Sequence, residues 1–136
     1  MTKISNPSPL KSFVFKRSKK TARNRTVLAA MTNKQSHDNG IISDDEVKWL
    51  AHRAEGGFGI ITTAATHVSK NGQGWEGEFG VFDDIHIEKL QELTNIIQSY
   101  GSLLLAQLFH GGMRSPEVIT GQQPLSASEL TCKESI

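Results

Sequence analysis

LLLAQLFHGGMR, residues 103–114, opens as an apolar run and closes as a glycine-rich elbow. Ser102–Phe109 is too short for a helix and too apolar to alternate, so it reads as a strand packed on both faces, as in a parallel sheet. His110, Gly111, Gly112 and Arg114 then turn the chain across the strand's C-terminal end. Two similar runs precede it, Thr26–Met31 and Phe58–Ala65. Between the first two, Ser43 and Glu46 form a capping-box pattern. Val47, Leu50, Ala51 and Ala54 then recur at helical spacing, and Gly56-Gly57 closes the helix. Between the second and third, Asp83-Asp84 caps another helix with its apolar stripe on Ile87, Leu90, Leu93, Ile96, Ile97 and Tyr100. Gly101 stands where a left-handed C-terminal cap belongs.

The order is strand, helix, strand, helix, strand, with strand starts roughly 32 and 44 residues apart. Such alternation means parallel strands joined by right-handed crossovers. The flanks carry other signals. Residues 1–20 read as an irregular basic segment, and 21–136 as the domain itself. Residues 66–83 read as a flexible glycine-rich loop around Trp75, and Pro116, Gly121 and Pro124 mark loop from Gly111 onward.

Composition sets limits. The 136 residues carry 15 Lys plus Arg against 14 Asp plus Glu. Cys132 is the single cysteine, so no internal disulfide exists and a reducing, cytoplasmic setting is expected. No apolar stretch is long enough for a membrane span, and no secretory h-region opens the chain. The charge is uneven: Lys11, Lys16, Arg17, Lys19, Lys20, Arg23 and Arg25 fall together with no acidic residue among them. This run reads either as a nucleic-acid or anion patch or as a solvated entry segment. The missing set of stacking aromatics favours the second.

Gly72-Gln73-Gly74-Trp75-Glu76-Gly77 matches the dinucleotide fingerprint G-x-G-x-x-G. That motif must join a strand directly to a helix start, and here neither neighbour is in place. Among His37, His52, His67, His86 and His110, none has a partner at metal-ligand spacing, so no metal is expected. His52 and His86 lie on the helices and are expected at the surface. His67 and His110 follow strand ends, which leaves site and loop-packing roles open. Cys132 has no adjacent base, and Ser126 and Ser128 lack a nucleophile elbow.

Polar residues do converge at one end of the strands: Thr32 after the first, Thr66 and His67 after the second, Gln107 and His110 at the third. Parallel α/β folds gather ligands at that end. A glutamine amide offers donors and an acceptor in one plane, which suits a flat heterocycle such as the pyrimidine edge of a flavin. A threonine hydroxyl can donate to a carbonyl oxygen that becomes electron-rich. The alternative for Gln107 is that it only satisfies loop backbone.

These residues resemble a known family. Asn24 to Thr32 is similar to the N-R-hydrophobic-x-x-P-M-T/C signature of the old yellow enzyme family, the NADH:flavin oxidoreductase / NADH oxidase family. Gly59-Ile60-Ile61 through Ala65-Thr66 resembles its second strand, Gln107 to Gly112 its Q-L-x-H-x-G motif, and Pro124 to Ala127 its P-S-A segment. The resemblance runs from Asn24 to Leu130 and implies an FMN-dependent (β/α)8 TIM barrel, of which this α/β chain carries the first three strands. It implies hydride transfer from NADH or NADPH, through the flavin, to an activated alkene as small-molecule substrate. Ala30, Met31, Thr32, Ala65 and Gln107 would bind the cofactor. His110, Arg114 and Lys34 would face the substrate, Lys34 standing where some relatives carry a tyrosine. A Thr32 hydrogen bond of roughly 1.5–3 kcal/mol would raise the flavin potential by roughly 30–65 mV. The sequence departs from the family pattern at Ala30, where proline is usual, and at Met113, which displaces the motif arginine to Arg114.

The family's substrate-anchoring His/Asn pair, its proton-donating tyrosine and the barrel's phosphate loops have no counterpart here, so no catalytic residue is expected in this chain. The chain therefore reads as an N-terminal portion, a truncated gene product or one piece of a split protein. Alone it is expected to be inactive, to hold FMN weakly, and to aggregate, form homo-oligomers or need its missing C-terminal portion. The competing readings are a non-catalytic interaction module acting through the open sheet, and nucleic-acid binding through the basic segment.

Overall fold

A computed structural model describes residues 8–129. Cys132 and Leu130, the last residue of the family resemblance, lie outside the described residues. Three strands, β3 (Val27–Leu28), β4 (Ile60–His67) and β5 (Leu103–Phe109), form a parallel sheet in the order β3-β4-β5. Val27 pairs with Ile60, and Ile60 with Leu103. The crossovers are α1 (Asp44–Glu55) and α2 (Ile87–Ser99). This is the expected open portion of a β/α barrel, and it is not closed.

Both helices begin on local chemistry. The Ser43 hydroxyl accepts the Glu46 amide at 3.1 Å, with Asp44 and Asp45 beside it at the positive helix end. The expected return of the Glu46 carboxylate to the cap does not occur. Glu46 turns inward, is fully buried, and accepts the Ser36 hydroxyl at 2.6 Å. An inward carboxylate needs a donor more than an exposed cap does. The full capping box stands instead before α2, where Asp83 accepts the Ile85 amide at 3.1 Å and the His86 ring folds back onto the Asp83 backbone. His86 is therefore buried, against the expected surface position, with Nε2 3.1 Å from the Asn39 carbonyl oxygen. At the other end of α2, Gly101 adopts φ +73°, as the left-handed cap requires.

The core lies on one face of the sheet. Leu28, Ile61 and Ala64 meet Val47, Leu50 and Ala54 of α1 and Leu93 and Ile97 of α2, with Ile42 and Phe79 closing the ends. The opposite face carries Val27, Ile60 and Leu105 by alternation. Right-handed crossovers place both helices on the same side, so the strands are not packed on both faces as expected. Leu105 is 51 % exposed on the open face, and Leu108 of the edge strand is 66 % exposed.

Three flanking segments are more ordered than their composition implies. Within the basic segment read as irregular, β1 (Phe13–Val14) pairs antiparallel with β2 (Thr21–Ala22), so the expected boundary at residues 20/21 runs through a hairpin. Phe13 packs edge-on to Phe15 at 4.9 Å, and Arg25 stacks over Phe13 at 4.8 Å. Arg23 donates to the carbonyls of Ala54, Phe58 and Tyr100, so two of the seven clustered cations are structural. After β5, a 3₁₀ turn at Gly112–Arg114 and α3 (Glu117–Thr120) replace the expected loop.

The 66–83 segment is not a free loop either. β4 runs on to His67, whose amide donates to the Phe79 carbonyl at 3.1 Å, while the Val81 amide donates to the His67 carbonyl at 3.0 Å. Gly77 adopts φ +71° where a Cβ would lie 2.5 Å from the Lys34 carbonyl oxygen, so only glycine fits that crossing.

Candidate active site

The C-terminal ends of β4 and β5 are set by one irregularity. Thr62 pairs with Leu105 and Ala65 with Gln107, so Thr63 and Ala64 together oppose Ala106 as a β-bulge. The Thr63 hydroxyl fills the gap, donating to the Ala64 carbonyl at 2.7 Å and accepting the Gln107 amide N–H at 3.1 Å. The Thr66 hydroxyl donates to the same carbonyl at 3.0 Å, so it is spent on the backbone.

The backbone of Gln107 is thus satisfied by Thr63, while its exposed side chain bonds to no other described residue. It does not serve loop backbone. As paired residues, Ala65 and Gln107 lie on the same face, a buried small side chain next to an exposed, unused planar amide. Met31 and Thr32 are exposed in the chain that follows β3, and Ala30 is half-buried. That chain is held from behind by Glu46 through Ser36, and by the Ser36 amide on the Gly77 carbonyl at 3.0 Å.

The three residues expected to face substrate do not all meet. His110 and Arg114 line one cavity of about 370 Å³ with Trp75, Phe109 and Pro116. Lys34 is exposed, has φ +54°, and is not among the residues that line this cavity. Sequence reading missed Trp75 and Phe109, whose rings lie 5.1 Å apart at the cavity wall. Phe109 carried a usable signal, since it falls two residues beyond Gln107 and so shares its strand face. Trp75 carried none, lying in a segment that reads as glycine-rich loop.

His67 does not open on the mouth. It is buried beside Glu78, its Nδ1 3.9 Å from Glu78 Oε2, too long for a hydrogen bond. Desolvation outweighs attraction in both. Burial, with a smaller push from His86, holds His67 down at about 4, and burial lifts Glu78 to about 7 against the opposing Gly74 and Trp75 amides. The pair is therefore not a salt bridge. Neutral His67 favours the fold fully above pH 6.5 and loses that contribution as pH falls through 4. Neutral Glu78 favours it fully below pH 4.5 and loses that contribution as pH rises through about 7. Among the described residues no group of His, Cys, Asp and Glu could hold a metal ion, and no helix is long and apolar enough to cross a membrane.

The chain is similar to known proteins in sequence and in fold. The NADH:flavin oxidoreductase / NADH oxidase family model matches residues 13–135. The probable NADH-dependent flavin oxidoreductase YqiG of Bacillus subtilis is 33 % identical over 111 residues, 82 % of this chain and 29 % of its own length. The old yellow enzyme homologue from Zymomonas mobilis superposes with a TM-score of 0.82 at 30 % identity, over 90 % of this chain and 33 % of that one. Morphinone reductase shares the fold, with a TM-score of 0.83 at 23 % identity. The chain thus spans about a third of the length of these relatives. Old yellow enzymes are TIM barrels that use FMN with NADH or NADPH as hydride donor. The chain belongs to the NADH:flavin oxidoreductase / NADH oxidase family.

Proposed function

We propose that this chain provides the flavin-facing βα units of an oxidoreductase that moves hydride from NADH or NADPH, through FMN, to an activated alkene. One observation carries the reading: the Ala65–Gln107 pair at the strand mouth, a buried small residue beside an exposed amide that no described residue uses. The residues fit the cofactor. Ala65 has no side chain beyond Cβ, so a flat ring can lie against it. Gln107 would donate and accept along the pyrimidine edge, with Met31 and Ala30 beside the ring. The Thr32 hydroxyl would donate to the ring carbonyl oxygen. Bound FMN supplies the hydride chemistry, and the protein orients and tunes it.

The cavity between Trp75, Phe109, His110 and Arg114 is the place for a small unsaturated substrate, its aromatic wall against the alkene and its cationic end toward a carbonyl or carboxylate oxygen. The NADH:acrylate oxidoreductase of Vibrio harveyi, 34 % identical over 108 residues (79 % of this chain, 11 % of its own length), agrees with that chemistry. Fluorescence titration of FMN tests the cofactor half. Gln107→Ala should weaken binding by about 1–3 kcal/mol, roughly 5- to 150-fold in Kd. Equal affinity in wild type and variant would remove Gln107 from the site.

A second reading, an assembly module, rests on the exposed Val27, Leu105 and Leu108. It predicts association that strengthens with protein concentration and fails in Leu105→Lys. Sedimentation velocity showing identical behaviour in both proteins would discard it.

A further inference from the structure

One pair of ionisable side chains lies outside the cofactor and substrate contacts. Glu78 and His67 have 0 % and 2 % of their side chains exposed, and His67 Nδ1 and Glu78 Oε1 have no hydrogen-bond partner among the described residues. Burying two such groups without saturating them is costly, so the segment must gain something from their position. The other Glu78 oxygen, Oε2, accepts the Gly74 amide at 2.7 Å. Gly74 lies directly against the Phe109 ring, where a Cβ would sit 3.0 Å from Cε1. The next residue is Trp75, packed on the same Phe109 ring.

The rest of the segment is held mainly by backbone bonds, with one further side chain: Gln73 Nε2 donates to the Trp75 carbonyl at 3.0 Å. The Phe79 carbonyl accepts from His67, the Gly72 carbonyl accepts the Gly111 amide at 2.8 Å, and the Gly77 carbonyl accepts from Ser36. These bonds fix the two ends of residues 72–80 but leave Gly74 and Trp75 between them. Gln73 bridges only to its near neighbour Trp75, whereas the Glu78 carboxyl ties Gly74 to the far end of the segment.

We propose that Glu78 is the positioning residue for Trp75: its buried carboxyl, backed by neutral His67, grips the Gly74 amide and holds the indole against Phe109 at the substrate wall. This rests on the reading of that cavity as the substrate site. The grip depends on a proton. With a proton on Oε1, the carboxyl sits neutral in its apolar surroundings while Oε2 accepts from Gly74. Without it, a full charge is confined in that space, eased by the Gly74 and Trp75 amides but with no Lys or Arg among the described residues in an ion pair with it. Among the described residues, His67 on β4 faces it, His86 stands behind His67 at the start of α2, and His110 and Arg114 line the cavity on the Gly74–Trp75 side. Loss of the proton, with a midpoint at about pH 7, draws water to the carboxylate and frees Trp75.

The test reads Trp75 directly and needs neither flavin nor turnover, so it can fail while the cofactor reading stands, and the reverse. The chain has two tryptophans, and Trp49 is removed as Trp49→Phe. In that background, Trp75 emission should move to longer wavelength between about pH 5 and about pH 9, with its midpoint near the Glu78 transition. Glu78→Gln, which keeps the acceptor oxygen and cannot ionise, should leave emission at the low-pH position throughout. Glu78→Ala should leave it at the high-pH position throughout. Emission independent of pH in the parent, or a Glu78→Gln protein that titrates like the parent, overturns the proposal. Should the alanine variant fail to fold, the parent–glutamine comparison decides alone.

Discussion

Phe79→Ala is expected to destabilise the protein by about 3–5 kcal/mol. Phe79 is 1 % exposed and closes one end of the core that Leu28, Ile61 and Ala64 form with the two helices. Its backbone is committed as well, because the Phe79 carbonyl accepts the His67 amide and so carries the strand register of β4 past its end. Removing the ring leaves a cavity that the sheet and helices cannot collapse into without breaking that bridge. Against a typical total of about 5–15 kcal/mol, this single change removes a large share of the stability. Urea denaturation followed by far-ultraviolet circular dichroism measures it. A loss below about 1 kcal/mol would mean that the 72–80 segment rides on the surface, and the account of Trp75 would fall with it.

Arg23→Ala is expected to cost about 2–4 kcal/mol. The guanidinium reaches three carbonyls at once: Ala54 in the last turn of α1, Phe58 on the way into β4, and Tyr100 after α2. Helix C-termini carry partial negative charge and unpaired carbonyls, so one planar cation answers both needs for two helices. Arg23→Lys keeps the charge but not the fork, and should recover about half of the loss. The same denaturation series checks both variants. If Arg23→Ala changes stability by less than about 0.5 kcal/mol, Arg23 belongs with the solvated lysines of the hairpin turn.

The Arg23 case shows where reading the sequence reaches its limit. The cluster of cations is plain in the sequence, and two of its members turn out to be structural. Nothing local separates Arg23 from Arg17, because the difference is the arrival of two helix ends from residues 54 and 100. His86 and Glu46 behaved the same way. Each stands at or next to a helix start, at a position that suits a polar surface residue, and each is buried by a segment outside its helix, Asn39 for His86 and Ser36 for Glu46.

What the sequence determined by itself is the repeating unit. Apolar runs of strand length, the Ser43 and Asp83 caps, the apolar stripe of the second helix and Gly101 are all set within one or two turns, where short-range sterics and hydrogen bonding decide. They are sufficient to specify parallel strands with helices between them, and they put Thr32, Ala65 and Gln107 at one end. Tertiary structure decided which way those residues face and what backs them. Gln107 is directed by the bulge at Thr63–Ala64, a matter of register between strands about forty residues apart in sequence. Trp75 meets Phe109 across a segment that also brings Glu78 and His67 into one buried space. Such choices depend on desolvation and on partners brought from elsewhere in the chain, and those forces act only once the sheet and its helices have come together.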